Sequence, residues 1–168
     1  MAKEIERKFL VKGDAWKTQN RSVYRQGYLS IDPERIVRVR TADQKAYLTI
    51  KGKTVGMTRQ EFEYEIPLAE AIELLENLCQ KPLLEKTRYQ VPFGNVVFEV
   101  EEYHGENKGL VVAEVELKHE DQKIPKPDWL GDEVTGDPRY YNSNLINNPY
   151  RNFRSESTPK SGKQFNKD

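Results

Sequence analysis

Period-two alternation runs through most of this chain, and its polar half is charged in one segment after another. Successive side chains of a β-strand point to opposite faces. The alternation therefore predicts eight strands, near residues 3–11, 23–30, 34–41, 45–52, 58–66, 83–91, 95–103 and 109–118. The first places Glu4, Glu6 and Lys8 on one face, with Ile5, Phe9 and Val11 mostly on the other. The third sets Arg38 and Arg40 against Val37 and Val39, and the fourth sets Thr49 and Lys51 against Leu48 and Ile50. The fifth aligns Arg59, Glu61, Glu63 and Glu65 opposite Phe62, Tyr64 and Ile66. The last three carry Lys86 and Arg88, Glu99 and Glu101, and Glu114 and Glu116 in one phase each.

A charged strand face ordinarily looks at water while the apolar face packs on a core. Solvated faces, however, mix Thr, Ser, Gln and Lys, whereas seven strands here repeat acids or bases in phase. That regularity favours a closed barrel with its charged face inward and its apolar face outward, under helices and loops. Eight strands enclose just enough space for side chains or one small ligand. Isolated ions are too costly to enclose, so such an interior needs counter-charges. Glutamate clusters call for divalent cations, and arginine and lysine clusters for an anion whose oxygens match guanidinium geometry. A polyphosphate with magnesium satisfies both.

The expected class is mainly β (α+β): an eight-stranded antiparallel closed barrel, or tunnel, with helices packed outside. The 168 residues suit one domain, expected over residues 1–150, with a polar tail over 151–168. One helix interrupts the strands: Pro67 opens it, Leu68, Ile72, Leu75 and Leu78 recur at helical spacing, and Lys81-Pro82 ends it. Pro125 to Gly131 reads as a loop, followed by a helix near 139–147. Lys and Arg number 27 against 27 Asp and Glu, so no basic excess points to nucleic acid or a membrane surface. Cys79 is the sole cysteine, which precludes an internal disulfide; placed in the predicted helix, it reads as a buried inert thiol. With no apolar run of ~18 residues and a charged N-terminus entering a strand directly, the chain is expected to be cytoplasmic.

Glu4-Ile5-Glu6-Arg7-Lys8 forms an E-x-E-x-K signature, followed in order by Arg38-x-Arg40, Lys51, Glu61-x-Glu63, Lys86-x-Arg88 and Glu114-x-Glu116. Over roughly residues 2–148 this series resembles the CYTH superfamily, the triphosphate tunnel metalloenzymes, and its short single-domain bacterial members in particular. The resemblance implies an eight-stranded tunnel. It implies that Arg38, Arg40, Lys51, Lys86 and Arg88 hold triphosphate oxygens, with Arg59 either joining them or serving as a rim partner of a glutamate. Lys51 or Lys86 would protonate the leaving phosphate. Glu4, Glu6, Glu114 and Glu116 become the expected ligands of Mg2+ or Mn2+, with Glu61 and Glu63 serving a second metal or the attacking water. Of Glu99 and Glu101, the latter is the expected acidic ligand. Lys8 and Tyr28 resemble a lysine–tyrosine pair in which a desolvated lysine with lowered pKa acts as general base; Lys8 could equally contact phosphate, and Tyr28 could be packing. The segment opening at Tyr140-Tyr141-Asn142 would plug or cover one tunnel end. His104 and His119 are expected at the surface, and Trp16 and Trp129 over the outer apolar face or a tunnel mouth.

The implied reaction is metal-dependent hydrolysis of a small-molecule triphosphate, with inorganic tripolyphosphate the preferred substrate. The chain shows no evident aromatic cage for thiamine and no adenine pocket. The alternatives are nucleoside or thiamine triphosphate hydrolysis, a class IV-type adenylate cyclase making cyclic AMP and pyrophosphate, and a non-catalytic polyphosphate-binding module. The basic outer patch needed for RNA 5′ ends is missing. Monomer and homodimer both remain open.

Overall fold

The computed structural model describes residues 3–154. All eight expected strands are present: β1 (Lys3–Val11), β2 (Arg21–Asp32), β3 (Arg35–Ala42), β4 (Lys45–Lys51), β5 (Thr58–Ile66), β6 (Leu84–Phe93), β7 (Val96–Tyr103) and β8 (Val111–Glu116). They pair antiparallel in the order β5-β4-β3-β2-β6-β7-β8-β1, and β1 returns to β5 to close the barrel. A short ninth strand, β9 (Leu130–Glu133), extends the segment expected as loop. It lies along the second half of β1, where Phe9 and Val11 pair with Glu133 and Leu130. Arg7 clips it in place through hydrogen bonds of 2.8 and 2.7 Å to the two Glu133 carboxylate oxygens.

Apolar side chains leave the barrel outward, where many are covered, but the outer face of β4 and β5 is not: Ile50, Phe62 and Tyr64 are exposed there, against the expectation of a fully covered apolar face. One cluster joins Phe9, Phe98, Val100 and Val115 to Trp16, Leu117 and Leu130, with Trp16 edge-on to Tyr89 and Trp129 edge-on to Phe98. A second lies under helix α1 (Leu68–Asn77), whose Ala71 and Leu75 pack on Val39 and Ala46. The helix stops earlier than Lys81-Pro82, so Cys79 sits just beyond it, still buried, its thiol pKa pushed up by burial. The chain passes so close there that a Cβ on Gly27 of β2 would lie 2.7 Å from Leu83 and 2.8 Å from Cys79. Glycine is the residue that permits such an approach.

The C-terminal segment fills one end of the barrel. The helix expected near 139–147 is broken into a 3-10 turn at Pro138–Tyr140 and a short helix α2 (Asn142–Leu145). Tyr140, Leu145 and Phe153 meet Leu84, Tyr103 and Val112, which share the inward phase of the charged residues, and Ile146 meets Tyr28 and Ile36. Packing thus runs to Phe153, three residues past the expected boundary at 150; the remainder of the expected tail, residues 155–168, lies outside the described residues. His104 and His119 are exposed. Among the described residues, no helix is long and apolar enough to cross a membrane.

Candidate active site

With one end plugged, the rest of the interior is a cavity of about 240 Å3 lined by charged side chains. That is below the ~300–1,000 Å3 typical of sites for drug-sized ligands, and it suits a compact ion. Of the expected site residues, all line the cavity except Glu101.

Strand register explains the pairings. Arg88 lies directly across from Glu101, Lys8 from Glu114, Lys51 from Glu61, and Glu6 from Glu116. Directly opposed residues have Cβ atoms ~4.5–5.5 Å apart, so unlike charges there attract and like charges repel. Lys51 Nζ accordingly reaches Glu4 at 3.2 Å and Glu61 at 3.7 Å, and Lys8 Nζ reaches Glu114 at 3.5 Å. Glu63 accepts from Arg40 Nη2 at 3.2 Å and from Thr49 Oγ1 at 3.1 Å. Arg59 donates to the Gly52 carbonyl on the β4–β5 loop, at 3.1 and 2.9 Å, and lies directly across from Glu4, whose pKa it helps to lower.

One position differs from the sequence expectation. Glu101 is fully buried behind the cavity wall, with one oxygen 2.6 Å from Lys86 Nζ and the other bound by Arg88 through Nε at 2.7 Å and through Nη2. Burial would raise its pKa, but Arg88 and Lys86 override that and hold it well below the usual carboxylate range. With both oxygens committed to cations, it is not placed to ligate a metal. Glu99, one turn of the pleat away, is the member of this pair that lines the cavity, 3.2 Å from Arg88 Nη1. Burial favours the neutral form of Lys8, but Glu114, Glu6 and Glu101 outweigh burial and raise its pKa, the opposite of what a general base needs. Its ammonium donates to the Tyr140 carbonyl at 3.2 Å and lies over the Tyr141 ring, not against Tyr28, whose hydroxyl accepts instead from Gln26.

The interior is unbalanced in two places. Around Arg40, burial and the repulsion of Arg38 and Arg88 lower the guanidinium pKa to about 10. The Nε atoms of Arg38 and Arg40 are buried without a hydrogen-bond acceptor. Buried donors of this kind normally have partners, and an anion would supply them. Around Glu6 the imbalance is acidic. Burial, Glu114 and Glu4 push its pKa well above the usual value, and burial, Glu4, Glu61 and Glu99 raise that of Glu116. Glu6 and Glu116 face each other across the strand pair, and among the described residues neither carboxylate makes a hydrogen bond or ion pair. A hard divalent cation fits this donor set: magnesium takes one or two carboxylates and fills its other positions with water and phosphate oxygens. Among the described residues, no group of three or more acidic, histidine or cysteine side chains forms a ready-made cage.

Lys86 lies between these regions, fully buried. Burial, with repulsion from Arg88 and Arg40, outweighs the pull of Glu101 and brings its pKa down to about 7. Its Nζ donates to Glu101 and, at 3.2 Å, to Asn142 Oδ1, which also accepts from Tyr103 at 2.8 Å. An ammonium has three donors, so one N–H remains for the cavity. Asn142 and Tyr103 escape sequence reasoning because they act through Lys86 from distant segments and match no charge pattern.

Comparison with known proteins agrees with this geometry. The family model for the CYTH domain matches residues 2–142. An inorganic triphosphatase of Acetivibrio thermocellus is 56% identical over 155 residues, covering 92% of this chain and 99% of that one. An inorganic triphosphatase of Nitrosomonas europaea is 37% identical over 147 residues, covering 84% and 95%. A crystal structure of an inorganic triphosphatase, 33% identical, superposes with a TM-score of 0.64 over 87% of this chain and 95% of the other. From its ordered series of charged motifs, its closed barrel and these matches, the chain belongs to the CYTH domain family.

Proposed function

We propose that this protein is a metal-dependent inorganic triphosphatase that cleaves tripolyphosphate to pyrophosphate and orthophosphate. The observation that carries the proposal is the double imbalance of one cavity: arginine donors without acceptors on one side, opposed carboxylates without ion-pair partners on the other. A triphosphate with its metal completes both. Its relatives' activity supports the same reading.

In this account Arg38, Arg40 and Arg88 bind the phosphate oxygens, with Lys51 and Lys8 as further contacts and Arg59 at the β4–β5 loop. Lys8, held charged by its acidic neighbours, is a phosphate contact and not the base. Water attacks a terminal phosphorus as the bond to the pyrophosphate oxygen breaks, and its two protons stay on the orthophosphate formed. Lys86, with a proton that leaves near neutral pH, donates it to that leaving oxygen. Glu6 and Glu116, with Glu4 and Glu114 beside them, would hold Mg2+ or Mn2+. The ion supplies charge neutralisation on the phosphate oxygens. Glu61 and Glu63 neutralise Lys51 and Arg40 until substrate arrives.

The test is a phosphate-release panel of tripolyphosphate, pyrophosphate, ATP and thiamine triphosphate with Mg2+ or Mn2+, each repeated with excess chelator. Tripolyphosphate should be cleaved fastest, chelator should abolish turnover, and restored metal should recover it. Equal rates on pyrophosphate would refute the three-phosphate preference. Cyclic AMP formed from ATP would establish a cyclase instead, and chelator-resistant turnover would remove the metal from the reaction.

A further inference from the structure

Tyr24, on the inner face of β2, falls outside every charge motif in the sequence. Strand β2 has β3 on one side and β6 on the other. From these two neighbours Arg40 and Arg88 lean in over the Tyr24 ring, each guanidinium carbon 4.7 Å from the ring centroid. Arg40 is otherwise tied to Glu63 at 3.2 Å, and Arg88 to Glu99 and Glu101. The Tyr24 hydroxyl makes no hydrogen bond among the described residues.

Two guanidinium groups this close repel one another, and each strengthens the need for an anion. An aromatic face carries negative charge density that attracts cations and is most effective where water is scarce. A ring shared by two arginines therefore offsets their repulsion and fixes the distance between them. From this the geometry points to Tyr24 as a positioning residue for polyphosphate binding: its ring holds Arg40 and Arg88 as one paired cradle for the same anion. The inference rests on the proposed triphosphatase activity, in which those two arginines bind substrate. Since the face and not the hydroxyl acts, aromatic replacements should preserve the effect and aliphatic ones should abolish it.

The experiment compares Tyr24→Phe, Tyr24→Trp, Tyr24→Leu and Tyr24→Met in steady-state hydrolysis of tripolyphosphate, with pyrophosphate as a competing anion. Tyr24→Phe should keep KM and kcat within about twofold of the parent. Tyr24→Leu and Tyr24→Met should raise KM about tenfold, the scale of two lost cation–π contacts. Their kcat should change little, and the inhibition constant of pyrophosphate should rise in parallel. In an Arg40→Ala background, Tyr24→Leu should add much less than it does alone, because the two act as a unit. A Tyr24→Phe variant as impaired as Tyr24→Leu, or aliphatic variants with unchanged KM, would overturn the proposal. If Tyr24→Leu fails to fold, Tyr24→Met and the Tyr24→Phe result still decide it. Should Arg40→Ala itself leave KM unchanged while the parent remains active, the assignment of Arg40 to substrate falls, and that outcome is distinct from a failure at Tyr24.

Discussion

Replacing Lys86 with methionine is expected to lower kcat for tripolyphosphate by about 100-fold to 10,000-fold, the range for loss of a positioned general acid. Methionine keeps the apolar stem, and Glu101 retains its bonds to Arg88, so the fold should persist. The pH dependence follows from the environment of the amine. Burial, with Arg88 and Arg40 nearby, brings Lys86 to about 7 in the free protein. A general acid works only when protonated, so kcat/KM should fall as pH rises through that value. Bound polyphosphate is anionic and favours the ammonium, so the corresponding fall in kcat should come at higher pH. The methionine variant should lack both limbs. Stopped assays of phosphate release across pH 5–10 in Lys86→Met and the parent check this. A variant that keeps near-parental kcat and the same alkaline limb would remove Lys86 from the proton transfer.

Glu6→Gln should make the protein more stable and nearly inactive. Burial and the carboxylates of Glu114 and Glu4 hold the Glu6 pKa well above its ordinary value of 4.5. A carboxyl group raised in the folded state costs nothing in acid, where it is protonated folded and unfolded alike. The cost appears as pH climbs from 4.5 and is fully present above the raised value. The glutamine variant should therefore match the parent in acid and melt higher at neutral pH in metal-free buffer, by about 2–4 °C for each kcal/mol relieved. Turnover should fall by about 100-fold or more, because the opposed pair Glu6 and Glu116 loses one donor for the divalent ion. Gain of stability with loss of function is the signature of a site held in strain for its ligand. Thermal melts across pH, beside activity at saturating Mn2+, test both halves. A lower melting temperature would mean that Glu6 makes favourable interactions in the empty cavity. Full activity would exclude it from the metal site.

The alternation of charged and apolar residues carried most of the architecture, because a two-residue period is a property of the strand itself. Which residues face inward follows from phase alone, and Glu4, Glu6, Arg38, Arg40, Lys86 and Glu114 all do. Phase does not report depth or neighbours. Glu99 and Glu101 share one face, yet register sets Glu101 directly across from Arg88 and behind the wall, while Glu99 faces the cavity. The sign of the Lys8 environment likewise depends on β8 closing against β1 and bringing Glu114 across from it. Strand β9 was illegible because Leu130-Gly131-Asp132-Glu133 is short and lacks alternation; it exists through pairing with β1 and the Arg7–Glu133 clip. Tyr24 matches no charge pattern in the sequence, since a ring shared by two arginines arises only when three strands are side by side.

The most direct test of the account is a crystal of the protein grown with Mn2+ and a non-hydrolysable triphosphate, with the metal located by its anomalous scattering. The account predicts an anomalous peak inside the barrel between Glu6 and Glu116, and a triphosphate seated on Arg38 and Arg40. A metal peak confined to the outer surface, or an anion bound outside the barrel with these side chains untouched, would contradict it.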